Sequence, residues 1–395
     1  MQVGYINSGG FMKLKRESNF ELLRVICMLM IITWHTFIWG GVLNASNPNI
    51  ASMIYIIYAI IVVEVNCFIL LTGYFQSKSN FKTKKFINLL FVTYFYKVLI
   101  TSLCYSLGWI SLSKSEFLWQ ISPFDFSNYW FIKIYLVLYC LSPFINKFIR
   151  SIDRKTFRNL LIVLFIFCSL LVTLTNQQIF TNSAGYSLVQ FVFMYLVGAY
   201  LREYIINDEI KEKMYKNKIE LVKNIFIAIS IFILCFITNY VLFRIGNFLM
   251  NKDGFIFLIG NRIKSVFMNY DNPLVVIGSV GFFMLFALLK VKSRFINVIS
   301  AVVFPVYLIH ETAVFRPVLY SWFGLDKLSN IGSYKIFIWV AIVVLSIFIG
   351  CMLMDYIRKL GLFILNRLIN YAHFIEPLKN KYNSICNIID SWINV

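Results

Sequence analysis

Charged residues are scarce in this sequence, and acidic residues are scarcer than basic ones. Asp, Glu, Lys and Arg together make up 14% of the 395 residues, whereas hydrophobic residues make up 59%. A soluble protein of this length would need far more polar surface to cover its core. Apolar stretches of about 20 residues recur along the chain, and each is long enough to cross a hydrocarbon layer of about 30 Å. The sequence therefore predicts an all-α, polytopic membrane protein.

The shortage of acidic residues leaves a net charge of +19, from 37 basic and 18 acidic side chains. Such an excess is often typical of nucleic-acid binding, but here the basic residues cluster in short polar stretches between alternate apolar runs. That distribution follows the positive-inside rule of membrane proteins. We expect membrane lipid around the protein and no nucleic-acid partner.

The eight cysteines include no CxxC pair, and seven of them lie in apolar runs. They are expected to be small packing residues, so the sequence predicts neither disulfides nor a metal site. The first apolar run lacks a small-residue cleavage site after it, so we expect the first helix to be retained.

About ten membrane spans are predicted, with both chain termini in the cytoplasm because lysine and arginine concentrate in alternate connections. The spans lie near 21–43, 50–75, 86–110, 129–149, 159–176, 187–203, 223–243, 271–290, 297–320 and 333–354. The chain is thus divided into a cytoplasmic segment (1–20), a membrane domain (21–355) and a basic amphipathic cytoplasmic tail (356–395), which suits an interfacial helix. The longest external connection is predicted at 244–270.

The first span carries three polar residues in an otherwise apolar run: Glu21, Arg24 and His35. Arg24 and His35 are eleven positions apart, which places them on one helix face and about 16 Å apart along the axis. Charged groups within a bilayer are costly and usually face a bundle interior where they carry function. The alternative is a local Glu21–Arg24 pair at the inner interface with His35 as a hydrogen-bonded core residue.

A second histidine, His310, is predicted at a depth similar to that of His35 in a parallel span. Glu311 and Arg316 follow it, and their alternative role is an ion pair at the outer interface. Glu64 and Lys133 are further ionisable residues within spans. Either could be a structural partner inside the bundle.

Two flanking groups complete the candidates. Tyr129 and Trp130 begin the fourth span, where they could form part of an aromatic belt or stack on a sugar ring. Lys82, Lys84 and Lys85 follow the second span on the predicted cytoplasmic side. They satisfy the topology rule, and they could equally bind phosphate.

Four stretches together resemble the acyltransferase-3 family of integral membrane acyltransferases, which O-acetylate bacterial cell-surface glycans. They are "NFELLRVICMLMIITWH" in the first span, "VNCFILLTGYF" at the end of the second, "YWFIKIYLVLYCLSPFINKFI" in the fourth and "FPVYLIHE" in the ninth. Each stretch is short and unspecific alone. Their order and spacing extend the resemblance over essentially the whole chain.

The resemblance implies roles for several of these residues. Glu21, Arg24 and His35 match the catalytic positions of the family. Lys82 and Lys85 match a basic pair, often two arginines, that would bind the acyl donor, although lysine lacks the planar fork of arginine. The candidate substrate-binding residues are Tyr129, Trp130, His310 and Glu311.

The resemblance also implies the activity. We expect an O-acetyltransferase of the bacterial cell membrane that moves an acetyl group from cytoplasmic acetyl-CoA to a hydroxyl of a capsule or exopolysaccharide, or of its lipid-linked precursor. No tightly bound cofactor is expected. His35 would act as a general base or accept the acetyl group as an acyl-imidazole.

Two other functions compete with this interpretation. A proton-coupled transporter would also place Glu, Arg and His inside spans, but the sequence has no two-fold repeat of Gly- or Pro-interrupted spans. A glycan flippase or polymerase would act on the same polysaccharides, yet it would not by itself require a donor site.

Overall fold

A computed structural model describes residues 17–44, 48–123, 129–175, 183–325, 333–371 and 376–394 of the protein. Within these ranges all regular structure is helical and no strand occurs. This confirms the predicted all-α membrane bundle. No disulfide forms among the eight cysteines, all of which lie in the described ranges, and six of them are buried.

Eighteen α-helices follow one another along the described chain. They are α1 (Ser18–Trp39), α2 (Pro48–Ile61), α3 (Glu64–Gln76), α4 (Thr83–Ser106), α5 (Lys114–Ile121), α6 (Trp130–Ser151), α7 (Arg154–Phe165), α8 (Leu171–Thr175), α9 (Leu188–Tyr200), α10 (Asp208–Lys216), α11 (Lys218–Leu249), α12 (Gly254–Ser265), α13 (Pro273–Leu288), α14 (Arg294–Ser300), α15 (Val303–His310), α16 (Arg316–Ser321), α17 (Ser333–Tyr371) and α18 (Glu376–Ile393). Single π-helical turns join α7 to α8 and extend α9 to Ile205.

All ten predicted spans coincide with apolar helical segments in the described chain. Eight of these segments are long and apolar enough to cross a membrane, and the other two, Pro273–Leu288 and Arg294–His310, are shorter. The ninth predicted span is not one helix, because α14 ends at Ser300 and α15 begins at Val303. The second is also interrupted, at Val62 and Val63, immediately before Glu64.

Two connecting regions differ from their sequence description. The predicted external connection 244–270 is mostly helix, since α11 continues to Leu249 and α12 follows it. The last predicted span continues without a break to Tyr371, well into the predicted tail. Only α18 is a separate tail helix, and it is tied to the start of α4, where the carboxylate of Asp390 accepts hydrogen bonds from the Thr83 N–H and hydroxyl at 2.6 and 2.5 Å.

Helix α1 packs against many of the other helices. It contacts α2, α3, α13, α14, α15, α16 and α17. Its first turn is anchored by the buried Asn19, whose amide donates to the carbonyls of Phe286 and Ala287 at 3.0 and 3.3 Å near the end of α13. This anchor fixes the position of α1 along its axis, and therefore the depth of the polar residues that it carries.

Helices α3 and α9 approach each other closely because a glycine lies on each side of the contact. A Cβ added to Gly73 would lie 2.0 Å from the Tyr195 carbonyl oxygen, and one added to Gly198 would lie 2.3 Å from the Leu70 carbonyl oxygen. Small residues at such contacts are the usual way for membrane helices to pack. The contact holds α3, which carries Glu64, against the rest of the bundle.

We predict that Gly73→Ala lowers the midpoint of thermal unfolding measured in detergent. The added methyl meets a backbone oxygen that cannot move aside, and overpacking of this kind costs about 1–3 kcal/mol. Gly350→Ala is the matched control, because nothing lies within 4 Å of a Cβ at this exposed position of α17. There the alanine should be neutral or slightly stabilising. Equal midpoints for the two variants would contradict the close packing of α3 on α9.

Candidate active site

The structure brings the two span histidines and Glu311 into direct contact. The Nδ1 atom of His35 lies 2.8 Å from Glu311 Oε2 and 3.1 Å from His310 Nε2. The His35 side chain retains 17% exposure, whereas His310 is completely buried. His35 comes from the last turns of α1, and the other two residues from the end of α15. The two histidines, which the sequence predicts at similar depth, therefore lie in contact and form one site with Glu311.

The hydrogen bonds assign the protons of the two imidazoles. His310 Nδ1 lies 2.6 Å from the Val306 carbonyl oxygen, which can only accept, so this nitrogen carries the proton. In a neutral imidazole the other nitrogen, His310 Nε2, is then an acceptor. His35 Nδ1 is therefore the donor toward His310, and Glu311 Oε2 lies 2.8 Å from the same nitrogen, within ion-pair distance. This arrangement leaves the lone pair of His35 on Nε2, as a general base or nucleophile requires.

Glu311 is held from its other side by Arg316. The guanidinium forms a short ion pair with Glu311 Oε1 and lies over the Trp39 ring, 3.8 Å from its centroid. The pairing considered from the sequence is therefore present, but the same carboxylate also contacts His35. Glu311 orients the imidazole and would stabilise its protonated form, as the carboxylate of a catalytic triad does.

Tyr129 is hydrogen-bonded to the segment that carries His310 and Glu311. Its buried hydroxyl lies 2.9 Å from Thr312 Oγ1 and donates to the Leu308 carbonyl at 3.1 Å, so it braces the backbone on both sides of His310. Its neighbour Trp130 instead lines a cavity of about 260 Å³ together with His35, Glu311 and many apolar side chains. We name this space the His35 cavity.

A second cavity of about 250 Å³ surrounds Arg24, and we name it the Arg24 cavity. Its lining includes four basic side chains (Arg24, Lys78, Lys85 and Arg202) and two acidic ones (Glu17 and Glu21). It is thus the more positively charged of the two spaces.

Salt bridges and hydrogen bonds order the charges of the Arg24 cavity. Arg24 pairs with Glu21 at 2.7 Å, and Glu21 also accepts from the Ser300 hydroxyl at 2.5 Å. Lys85 donates to the Gln76 side-chain oxygen at 3.2 Å. The side chain of Lys82, the other member of the lysine pair, is exposed and does not line this cavity.

Four side chains line both cavities: Phe68, Phe131, Ile132 and Phe304. We call them the apolar septum. Because the same residues face both spaces, the barrier is about one side chain thick. Arg24 and His35 share one face of α1, as the helical period predicts, and each opens into a different cavity.

Several residues of the site carried no clear signal in the sequence. Lys78, in the turn after α3, and Arg202, in the π-helical turn after α9, both line the Arg24 cavity, and only the fold brings them together. Tyr186 and Tyr270 line the His35 cavity from connections between helices. Glu64 was recognisable as an ionisable span residue, and the structure places it in the same cavity. Lys133 is exposed instead.

The donor atoms of His35, His310 and Glu311 lie within 4.8 Å of one another and could hold a metal ion. Two imidazoles and a carboxylate suit several transition metals. The direct contacts at 2.8 and 3.1 Å also account for the arrangement as a triad without a metal, with one ion-pair contact and one hydrogen bond, and the chemistry below uses that triad.

The proton assignment can be tested by nitrogen NMR, because the chain has only three histidines. In protein labelled with ¹⁵N-histidine in lipid bilayers, we expect His35 and His310 both to be protonated on Nδ1 at neutral pH. Glu311→Gln should change the ¹⁵N shifts of His35 because it removes the charged partner. His373→Gln is the control, which should remove one set of signals and leave the others in place. Protonation of His35 on Nε2 alone would contradict the assignment.

Comparison with known proteins agrees with this geometry. The model of the acyltransferase-3 family, described as an acyltransferase domain, matches residues 17–356, which include every residue of both cavities and of the triad. The chain matches no curated protein and no solved structure. Because this match covers most of the chain, the protein belongs to the acyltransferase-3 family of membrane acyltransferases.

Proposed function

We propose that the protein transfers an acetyl group from cytoplasmic acetyl-CoA to a hydroxyl of a bacterial cell-surface polysaccharide or of its lipid-linked precursor. The observation that carries this proposal is the pairing of two cavities along one face of α1. One is basic and contains Arg24, and the other contains a histidine with its lone pair available. A reaction that joins a charged donor on one side of a membrane to an acceptor on the other needs both.

The Arg24 cavity supports the donor half of the proposal. With the N-terminus in the cytoplasm, as the positive-inside pattern predicts, this cavity faces the compartment that contains acetyl-CoA. Its excess of positive charge suits the phosphates of the nucleotide. Arg24 and Lys85 are the side chains that we assign to these phosphates.

The apolar septum is consistent with a donor whose thioester end passes from the Arg24 cavity to His35. Arg24 and His35 are separated by about 16 Å along α1, from a rise of about 1.5 Å per residue. The pantetheine arm of acetyl-CoA is thin and flexible, so it suits passage between Phe68, Phe131 and Phe304 while the charged nucleotide stays behind. The septum would otherwise exclude water, which protects the thioester from hydrolysis.

His35 Nε2 is the proposed reactive atom. In a direct route it takes the proton of the acceptor hydroxyl while that oxygen attacks the thioester carbonyl carbon. The C–S bond then breaks, and the imidazolium returns the proton to the thiolate of CoA. In a two-step route Nε2 itself attacks the thioester carbonyl carbon, the C–S bond breaks, and CoA leaves as the thiolate. The acceptor hydroxyl then attacks the acetyl-imidazolium, the C–N bond breaks, and the hydroxyl proton passes to the thiolate. Both routes need the lone pair on Nε2, and Glu311 would stabilise the positive imidazole in either.

The negative charge that develops on the carbonyl oxygen needs a donor. Tyr307 and Arg316 both line the His35 cavity, and each side chain carries a hydrogen-bond donor. Hydrogen-bond donors fixed before the reaction are among the largest contributors to acyl transfer. We assign these two groups as the candidate oxyanion donors.

We predict that His35→Ala loses transfer of label from [¹⁴C]acetyl-CoA to glycan in membranes that contain the native acceptor. The loss should be at least about 100-fold, the lower end of what a positioned base contributes. His373→Ala, in the tail and outside the described residues, should transfer at the wild-type rate. Membrane insertion of each variant is checked by size-exclusion chromatography in detergent. Wild-type transfer by His35→Ala would exclude the mechanism.

A second prediction concerns the donor site. Lys85→Gln should raise the KM for acetyl-CoA about tenfold with little change in kcat, since a hydrogen bond to a charged group contributes about 1.5–3 kcal/mol. Lys84→Gln is the matched control, because Lys84 is the adjacent lysine of α4 but is exposed and lines neither cavity. If the two variants have the same KM, the donor does not bind in the Arg24 cavity.

A further inference from the structure

Glu64 is a buried carboxylate that the proposed chemistry does not use. It is the first residue of α3, it is 1% exposed, and it lines the His35 cavity. Its Oε1 atom accepts a hydrogen bond from the Tyr270 hydroxyl at 3.3 Å. Its Oε2 atom has no hydrogen-bond partner among the described residues. An unsatisfied carboxylate oxygen in a buried cavity is costly, so it marks a place for a donor that the chain itself does not supply.

Three aromatic rings line the cavity beside this carboxylate. Trp130 and Tyr270 are nearly parallel, with 20° between the ring planes and 6.2 Å between their centroids. The Tyr186 ring lies 4.4 Å from that of Trp130 and 5.1 Å from that of Tyr270. They come from three separate parts of the chain, so the fold assembles this aromatic wall rather than any single helix.

The aromatic wall is fixed by the backbone around Tyr270. The Tyr270 carbonyl accepts hydrogen bonds from Asn66 at 2.9 Å and Gln190 at 3.1 Å. Its N–H donates to the Ala184 carbonyl at 3.0 Å. Gly185 packs so closely that an added Cβ would lie 2.7 Å from Tyr270 Cβ. A surface held in this way is preorganised for a ligand.

The combination suits a sugar ring. A pyranose has hydroxyl groups around its edge, which donate hydrogen bonds, and faces of C–H groups, which pack on aromatic rings. The cavity of about 260 Å³ lies just below the ~300 Å³ lower end of typical ligand pockets, so it has room for one ring rather than an oligosaccharide. The positive Arg316 in the same lining disfavours an ammonium group, which aromatic cages and carboxylates also bind.

We propose that Glu64, Trp130, Tyr186 and Tyr270 form the acceptor subsite, which holds a single pyranose residue. One ring hydroxyl donates to Glu64 Oε2 while another faces His35 Nε2. Glu64 thus selects which hydroxyl is presented to the base. This inference rests on the proposed function and names the acceptor for it.

The subsite can be tested without the acyl donor, by saturation-transfer NMR on the full-length protein in lipid nanodiscs. The probes are methyl α-D-glucopyranoside, methyl β-D-galactopyranoside and methyl N-acetyl-β-D-glucosaminide. We expect saturation of the ring C–H protons of at least one probe with the wild type. Glu64→Gln should weaken binding about five- to tenfold, because an amide oxygen accepts more weakly than a carboxylate. Trp130→Ala should reduce it further.

The control is Trp119→Ala, which removes an exposed tryptophan of α5 and should bind the probes as the wild type does. Thermal midpoints show whether the Glu64 and Trp130 variants remain folded, and the conservative Glu64→Gln keeps the side-chain volume. Equal binding by Glu64→Gln and the wild type would overturn the subsite, as would a wild type that binds none of the three glycosides. A fourth probe, methyl 2-amino-2-deoxy-glucoside, tests for an ammonium site. If the wild type binds this probe and none of the other three, the pyranose subsite is wrong and the cavity is an ammonium site.

The outcome is separable from that of the proposed function. Glycoside binding that depends on Glu64 would stand even if His35→Ala still transferred acetyl groups, because the binding measurement uses no donor. Conversely, His35-dependent transfer with Glu64-independent binding would keep the enzyme and exclude this subsite.

Discussion

The contact between His35 and Glu311 is the interaction on which the rest of the site depends. An imidazole and a carboxylate within a membrane bundle are costly unless each satisfies the other. Their contact joins α1 to the end of α15, with His310 and Arg316 as further partners. Glu311 and His310 both lie against Nδ1 of His35, so Nε2 is the nitrogen left available.

Two predicted spans that contribute to the His35 cavity are interrupted helices. The second predicted span breaks just before Glu64, and the ninth breaks before α15 and ends again at His310. Irregular backbone at membrane depth is tolerated where it is buried in protein or lines a cavity. The break before α3 and the end of α15 place two carboxylates, Glu64 and Glu311, in the lining of the His35 cavity.

In the proposed function the two cavities divide the binding of the two substrates. The Arg24 cavity is lined by four basic side chains, while the His35 cavity has one, Arg316, together with the aromatic wall and His35. The apolar septum keeps these environments apart, so a charged donor head and an acceptor sugar need not share one space. Family membership establishes acyl transfer, and this division explains how one face of α1 could serve both substrates.

The sequence by itself determined the helical membrane fold, because apolar runs of span length leave the backbone no alternative to helix in lipid. It also placed Arg24 and His35 on one face, since that depends only on the helical period. Only the tertiary structure decided that Glu311 rather than Glu64 contacts His35, that Lys85 but not Lys82 lines the Arg24 cavity, and that Tyr186 and Tyr270 meet Trp130. Those contacts join residues far apart in the chain, and they depend on helix breaks and close packing that no local pattern specifies.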